Sequence, residues 1–314
     1  MSKITPHLWF DTQAKEAAEF YTSVFSNSKI NNVTTIHDTP SGDCDIVTFE
    51  LQGEPFMAIS AGPLFKFNPS VSFMVNFDPS KDPSAKESLD AAWAKLIDGG
   101  KALMPLDEYP FSKKYGWVED KYGLSWQLIL TDPSGEERPA IIPSLLFVTD
   151  TCDKAEEATN FYLDVFKNAP SANSEQIKRG TLARYPAGPP AGGGPNKEGA
   201  IMFTDFMLDG KWFAAMDGSS QMHKFAFNEA ISFIVNCKDQ AEIDFFWEKL
   251  SAVPESEQCG WLKDKYGLSW QITPVAMDEM MQKGTPEQID RVTKAFLQMK
   301  KFDIAKLQEA YEGK

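Results

Sequence analysis

The stretch GWVEDKYGLSWQL, Gly116 to Leu128, returns as GWLKDKYGLSWQI, Gly260 to Ile272, with ten of 13 positions identical at an offset of 144. Within it, DKYG reads as a hairpin turn whose glycine meets the need for positive φ. The residues that follow the glycine read as the strand leaving that turn. Working outward, four more segments return in the same order. AKEAAEFYTSVF (Ala14 to Phe25) matches AEEATNFYLDVF (Ala155 to Phe166), and GEPFMAIS (Gly53 to Ser60) matches GKWFAAMD (Gly210 to Asp217). FNPSVSFMVN (Phe67 to Asn76) matches FNEAISFIVN (Phe227 to Asn236), and LDAAWAKL (Leu89 to Leu96) matches IDFFWEKL (Ile243 to Leu250). Collinear matches of this kind mark a duplication. The first unit covers residues 1–130, a polar and turn-rich linker TDPSGEERPA covers 131–140, the second unit covers 141–274, and a tail covers 275–314.

Within one unit the pattern repeats again. Ile4 to Phe10 has strand character, and Ala14 to Phe25 carries a helical stripe of Ala17, Phe20, Tyr21, Val24 and Phe25. Short runs at 30–36, 46–51 and 56–59 follow, divided by turn signals at Pro40-Ser41-Gly42 and Gly53-Glu54-Pro55. Val71 to Phe77 then reads as a strand and Ser84 to Ile97 as a helix stopped by Gly99-Gly100, with strands near Ala102, near Trp117 and at Leu124 to Leu130. Each unit therefore holds two βαβββ modules and the chain holds four, an α+β fold. The second unit has a long Pro/Gly insertion at 186–199, either a lid or a neutral loop, and lacks most of the stretch 101–115. In the tail, Thr285-Pro286-Glu287-Gln288 reads as a capped helix start, and Asp303 as the cap of a second helix. Both are expected to pack on the second unit.

Composition bounds the function. The 314 residues are 42% hydrophobic and 24% charged, as in an ordinary globular protein, and the length suggests about two domains. The formal net charge of −14 makes nucleic acids and anionic membranes poor partners. The longest apolar run, Ile141 to Val148, is too short to span a bilayer. Cys44, Cys152, Cys237 and Cys259 form no CxxC pair and read as reduced thiols. The opening MSKITPHLWF shows no signal-peptide core, so a cytoplasmic location is expected.

ITPHLWFDTQAKEAAEFYTSVF, FMAISAGP and DKYGLSWQL resemble the PhnB-like branch of the vicinal oxygen chelate superfamily. That superfamily includes glyoxalase, extradiol dioxygenase, and bleomycin- and fosfomycin-resistance proteins. The branch often carries the label demethylubiquinone methyltransferase-like. The resemblance covers both units. It implies paired βαβββ modules curled into half-open sheet cups, with ligands inside and helices outside. It also implies four cup-facing positions which, in metal-dependent members, supply His or Glu ligands on the first and last strands of each module. Here those positions fall on His7, about Ala58, Ser72 and Gln127 in the first unit, and on Leu145, Ala215, Ser232 and Gln271 in the second. Alanine and leucine cannot ligate, and serine and neutral glutamine grip a dication weakly. No tightly bound metal and no other cofactor is therefore expected.

Strand alternation sorts the remaining candidates. The ligand-lining set is His7, Trp9, Ser72, Met74, Asn76, Ser125 and Gln127, with Phe147, Ser232, Asn236, Ser269 and Gln271 from the second unit. Asn76 and Asn236 read equally well as strand-end turn residues. Trp126 and Trp270 fall on the opposite face, beneath the helices. Such cups suit a small, partly apolar molecule. The competing reading is a lyase, isomerase or dioxygenase that uses His7 as the candidate catalytic group, alone or with a weakly held metal at His7 and Gln127. A third is a structural protein whose cups are filled by side chains. HExxH, GxSxG and GxxxxGK[ST] are absent, and Gly192-Gly193-Gly194 sits among prolines, so no motif supports a methyltransferase. Asp120 and Asp264 read as turn carboxylates. Because single-unit relatives commonly pair as homodimers, the two units are expected to form that pair internally, as a pseudo-twofold monomer.

Overall fold

A computed structural model describes residues 2–39, 41–186, 197–219 and 223–314, without the side chain of Asp38. Most of the Pro/Gly insertion and Pro40 of the first turn signal lie outside the described residues. The first module runs β1 (Ile4–Phe10), α1 (Ala14–Val24), β2 (Lys29–Thr39), β3 (Gly42–Leu51) and β4 (Glu54–Ser60). The second runs β5 (Val71–Phe77), α2 (Ala85–Ile97), β6 (Lys101–Tyr109), β7 (Ser112–Glu119) and β8 (Ser125–Leu130). The third runs β9 (Ile141–Phe147), α3 (Ala155–Lys167), β10 (Lys178–Arg184), β11 (Ile201–Leu208) and β12 (Lys211–Asp217). The fourth is one strand short: β13 (Ile231–Cys237), α4 (Gln240–Leu250), β14 (Trp261–Lys263) and β15 (Ser269–Pro274).

Among the described residues the strands form two mixed sheets, ordered β14-β15-β13-β1-β4-β3-β2 and β10-β11-β12-β9-β5-β8-β7-β6. Each sheet joins one module of the first unit to one of the second. The first strand of every module would otherwise leave a row of unpaired N–H and C=O groups at its edge. Antiparallel pairing of β1 with β13 (His7↔Ser232) and of β5 with β9 (Ser72↔Ser144) satisfies them. This corrects the expected assignment of one cup to each unit: both cups are built across units.

The aromatic contacts beneath the helices, by contrast, join modules of the same unit. Helix α1 buries Ala14, Ala17 and Ala18, small residues that let the helix lie close on the sheet, together with the ring of Tyr21. Tyr21 and Phe25 lie 5.2 and 5.1 Å from Trp126 of β8, and Phe56 of β4 lies 5.0 Å from Phe73 of β5. The second unit repeats this with Tyr162 5.6 Å from Trp270, and Phe213 5.0 Å from Phe233. The helix-bearing faces of both sheets thus share a continuous apolar core, and Trp126 and Trp270 are buried there as expected.

The tail forms α5 (Val275–Lys283), α6 (Pro286–Phe296) and α7 (Ile304–Glu312). Thr285 and Gln288 make a reciprocal capping box, and Asp303 accepts from the backbone of Lys306. The stretch between α6 and α7 stands in for the strand that the fourth module lacks. Cys259 and Gly260 donate their amides to Met299 and Lys300. A Cβ on Gly260 would stand 2.5 Å from the Phe302 ring, just as one on Gly116 would meet the Trp93 ring at 2.5 Å. The glycine of each GW pair is therefore required by the ring lying on it.

Candidate functional site: two unequal cups

The repeated turn comes first, because it sets the register of the last strand of each cup. Asp120 Oδ1 accepts from the amides of Tyr122 and Leu124, and its Oδ2 accepts from Trp126 Nε1. Asp264 does the same with Tyr266, Leu268 and Trp270, and also accepts from the Tyr162 hydroxyl at 2.8 Å. Burial pushes the Asp264 carboxyl up to about 6 against those hydrogen bonds, and pushes Asp120 upward as well. Each carboxylate clamps its own turn and the tryptophan beneath it, so neither stands free as a base.

Beyond the clamp, alternation puts Ser125 and Gln127, and likewise Ser269 and Gln271, on the concave face. The pairing carries that face across the sheets. In one cup, His7 of β1 lies opposite Ser232 of β13, which lies beside Ser269 of β15. On the other side of His7 stands Met57 of β4, with Ile59 beside Trp9. In the other cup, Ser144 of β9 lies opposite Ser72 of β5, and Gln127 of β8 stands beside Met74. The equivalent of His7 is therefore Ser144.

These registers correct several expected positions. Leu145, Phe147, Ala58 and Ala215 belong to the helix-side core, one residue out of phase with the concave face. His7 and Gln127 sit in different sheets, so they cannot jointly grip one ion. Asn76 and Asn236 serve the strand ends. Their Nδ2 atoms donate at 2.7 Å to the Pro139 and Ser2 carbonyls, pinning the strands that enter beside them. The metal that the resemblance implies finds no matching donor set among the described residues. Around His7 stand Ser232, Met57 and Gln271, and among the described residues no group of three or more His, Cys, Asp or Glu side chains is placed to hold an ion.

The two polar rows differ in how they are satisfied. In the Gln127 cup, Gln127 Nε2 donates to Ser72 at 2.7 Å and Ser144 at 3.3 Å, Tyr115 OH donates to Gln127 Oε1 at 2.7 Å, and Trp117 Nε1 donates to Ser125 at 2.6 Å. Tyr115 is wedged edge-on against Tyr109 and Phe111 of the β6–β7 hairpin. The rest of the concave floor packs dry: Met74, Ile142, Trp212 and Ala214 form a separate apolar cluster. The Arg138 guanidinium lies 3.9 Å from the Trp212 ring while pairing with Asp205.

In the His7 cup, Gln271 Nε2 donates to Ser232 at 2.9 Å, but the row ends there. Among the described residues His7 Nδ1 and Ser269 Oγ are buried without a hydrogen-bond partner. Trp261, which corresponds to Trp117, turns its ring edge-on to His7 at 5.4 Å. Trp9 donates from Nε1 to the Gly62 carbonyl and meets Phe65 at 5.0 Å, so the loop after β4 covers this mouth. Burial pushes the His7 imidazole down to about 3, so it is neutral at ordinary pH. Lys263, on the same strand as Trp261, is paired with Glu229 at 2.7 Å.

Sequence reading missed Tyr115, Trp117, Trp261, Ser144, Met57 and Phe65. One more aligned residue exposes the decisive difference: Tyr115 precedes the first GW and Cys259 the second. Cys259 packs against the helix-side core.

The sequence profile of the 3-demethylubiquinone-9 3-methyltransferase family matches residues 2–129 and again 139–273. The PhnB protein of Bacillus cereus is 39% identical, with 41% of this chain and 100% of that one covered and a TM-score of 0.37, so it has the length of a single unit. A protein from Staphylococcus aureus is 33% identical over 42% of this chain and 98% of its own, with a TM-score of 0.17. Glyoxalase I from Zea mays is 10% identical over 85% of this chain and 92% of its own, with a TM-score of 0.48. No curated protein matches the chain. Among the described residues no helix is long and apolar enough to cross a membrane. With two profile matches in tandem that together span most of its length, the chain belongs to the 3-demethylubiquinone-9 3-methyltransferase family.

Proposed function

We propose that the protein binds a small, neutral, partly apolar molecule in the His7 cup, without help from a tightly held metal. One observation carries this reading: two buried polar atoms, His7 Nδ1 and Ser269 Oγ, flank Ser232 on one concave row with no hydrogen-bond partner among the described residues. Leaving a buried donor or acceptor unmade costs about 1–3 kcal/mol each, so a ligand that supplies both partners recovers that cost on binding. Trp9, Trp261, Met57 and Ile59 supply apolar walls beside the row, the usual division of labour in a small-molecule site. The ligand is neutral in this reading because the imidazole is uncharged and Lys263 already has its carboxylate.

The test is a titration of indole-labelled protein with matched sets of neutral aromatic fragments and their carboxylate analogues. Neutral fragments should shift the Trp9 and Trp261 indole signals, and Ser269→Trp, which fills the row, should abolish the shifts. Equal binding of the carboxylates, or no shift with any fragment, sinks the reading. In the same reading the protein acts in the cytoplasm, and as a monomer because the pairing of modules across units is completed within one chain. A stable dimer by light scattering at low concentration counts against that.

A further inference from the structure

We infer that Tyr115 is a built-in occupant of the second cup, and that its phenol marks the ligand class of the first: a small aromatic hydroxyl compound, one per chain. This deepens the binding reading above and rests on it.

The inference comes from overlaying the two rows. Gln127 with Ser72 and Gln271 with Ser232 are the same pair at equivalent places, and in both the amide Nε2 donates to the serine. That bond turns the glutamine carbonyl oxygen the other way. In the second cup, the Tyr115 hydroxyl meets that oxygen at 2.7 Å while its ring is enclosed by Tyr109 and Phe111. Tyr115 is 5% exposed and Gln127 2%. In the first cup, Cys259 stands at this sequence position but packs toward the helix-side core. Among the described residues no side-chain hydroxyl takes the phenol's part against Gln271, which stays 9% exposed. The β6–β7 hairpin that carries Tyr109 and Phe111 has no counterpart there either, because the fourth module lacks that strand.

An acceptor placed to receive a phenolic O–H, indole rings on one side and, further along the row, two polar atoms without a partner among the described residues together describe a hydroxylated ring. The hydroxyl would donate to Gln271 Oε1, as Tyr115 donates to Gln127. A second polar substituent on the ring would meet Ser269 or His7.

Because p-cresol is the tyrosine side chain as a free molecule, it is the natural probe, and toluene is its hydroxyl-free control. Calorimetric titration of the full chain should show one equivalent of p-cresol bound, at least tenfold more tightly than toluene. Gln271→Leu should abolish that preference while leaving toluene unchanged. Tyr115→Ala should bind two equivalents of p-cresol and recover thermal stability on binding the second. Should that variant fail to fold, Tyr115→Cys, which installs the second unit's own residue, serves instead. Equal binding of p-cresol and toluene, or a preference that survives Gln271→Leu, overturns the phenol assignment and leaves the His7 cup a binding site of another class. A stoichiometry that stays at one in the Tyr115 variants overturns the role of Tyr115. If neither probe nor any neutral fragment binds the wild-type chain, the binding reading itself falls and takes this inference with it.

Discussion

The two cups are built from the same block, GW-x-x-DKYGLSWQ, yet one is closed by its own side chains and the other is left with open valences. In the Gln127 cup every member of the polar row, Ser144, Ser72, Ser125 and Gln127, has a side-chain partner. In the His7 cup, His7 Nδ1 and Ser269 Oγ have none among the described residues. A duplicated chain can thus specialise its halves without altering the repeated strand. It is enough to change one member of the row, Ser144 against His7, and what reaches the row from outside: Tyr115 against Cys259 and a full β6–β7 hairpin against a short β14.

The largest expected effect tests the cost of that openness. His7 is held neutral, with a folded-state pKa near 3 against 6.5 for the free side chain. Above pH 6.5 both folded and unfolded chains carry a neutral ring, and the stability is fully present. As pH falls from 6.5 toward 3, only the unfolded chain takes up the proton. Stability is therefore lost, by up to about 5 kcal/mol, since each pH unit between the two values is worth about 1.36 kcal/mol. Asp264 works in the opposite sense. Its pKa is raised from 3.8 to about 6, so its contribution is fully present below 3.8 and is lost as pH rises to 6, by roughly 3 kcal/mol. Denaturant unfolding from pH 4 to 7 should therefore show a much flatter acid limb in His7→Gln than in the wild type. An unchanged limb would mean that the ring is wetter than its burial implies.

The next effect is local to the closed cup. Tyr115→Phe keeps the ring and removes the hydroxyl, leaving Gln127 Oε1 unsatisfied in a buried place. A loss of about 1–3 kcal/mol is expected by chemical denaturation. Cys259→Ala, at the equivalent sequence position, removes a small side chain that makes no comparable bond in the cup, and should cost less. Equal losses would mean that the Tyr115 hydroxyl adds nothing to the second cup.

How much of this was legible in the sequence follows from where alternation carries information. The turn block fixes the phase of the strand that follows it, which is why the helix-side burial of Trp126 and Trp270 is legible in the sequence. Strand β9 is buried along its whole length, so polar–apolar alternation has nothing to report, and a one-residue slip exchanges the faces. That slip put Leu145 and Phe147 in the cup in place of Ser144. The pairing of modules across units was not legible either, since β1 could bury the same faces beside β5 or beside β13. The helix caps at Thr285 and Asp303 were read correctly because capping is local. The tail's replacement of the missing edge strand joins Cys259 to Met299, and no local pattern announces a contact so far apart in sequence.

The smallest effect is the sharpest comparison, because one substitution should act with opposite sign in the two halves. Ser125→Ala deletes the acceptor of Trp117 Nε1 and should destabilise by about 1–3 kcal/mol. Ser269→Ala deletes a buried hydroxyl that has no hydrogen-bond partner among the described residues, so it should be neutral or raise the melting temperature. The same Ser269→Ala change should weaken any ligand that uses this hydroxyl, a gain in stability set against a loss in binding. Residues kept for function commonly stand where the fold alone would prefer something else. If Ser269→Ala costs as much as Ser125→Ala, the hydroxyl has a partner within the folded chain, and the two cups are more alike than their hydrogen bonds indicate.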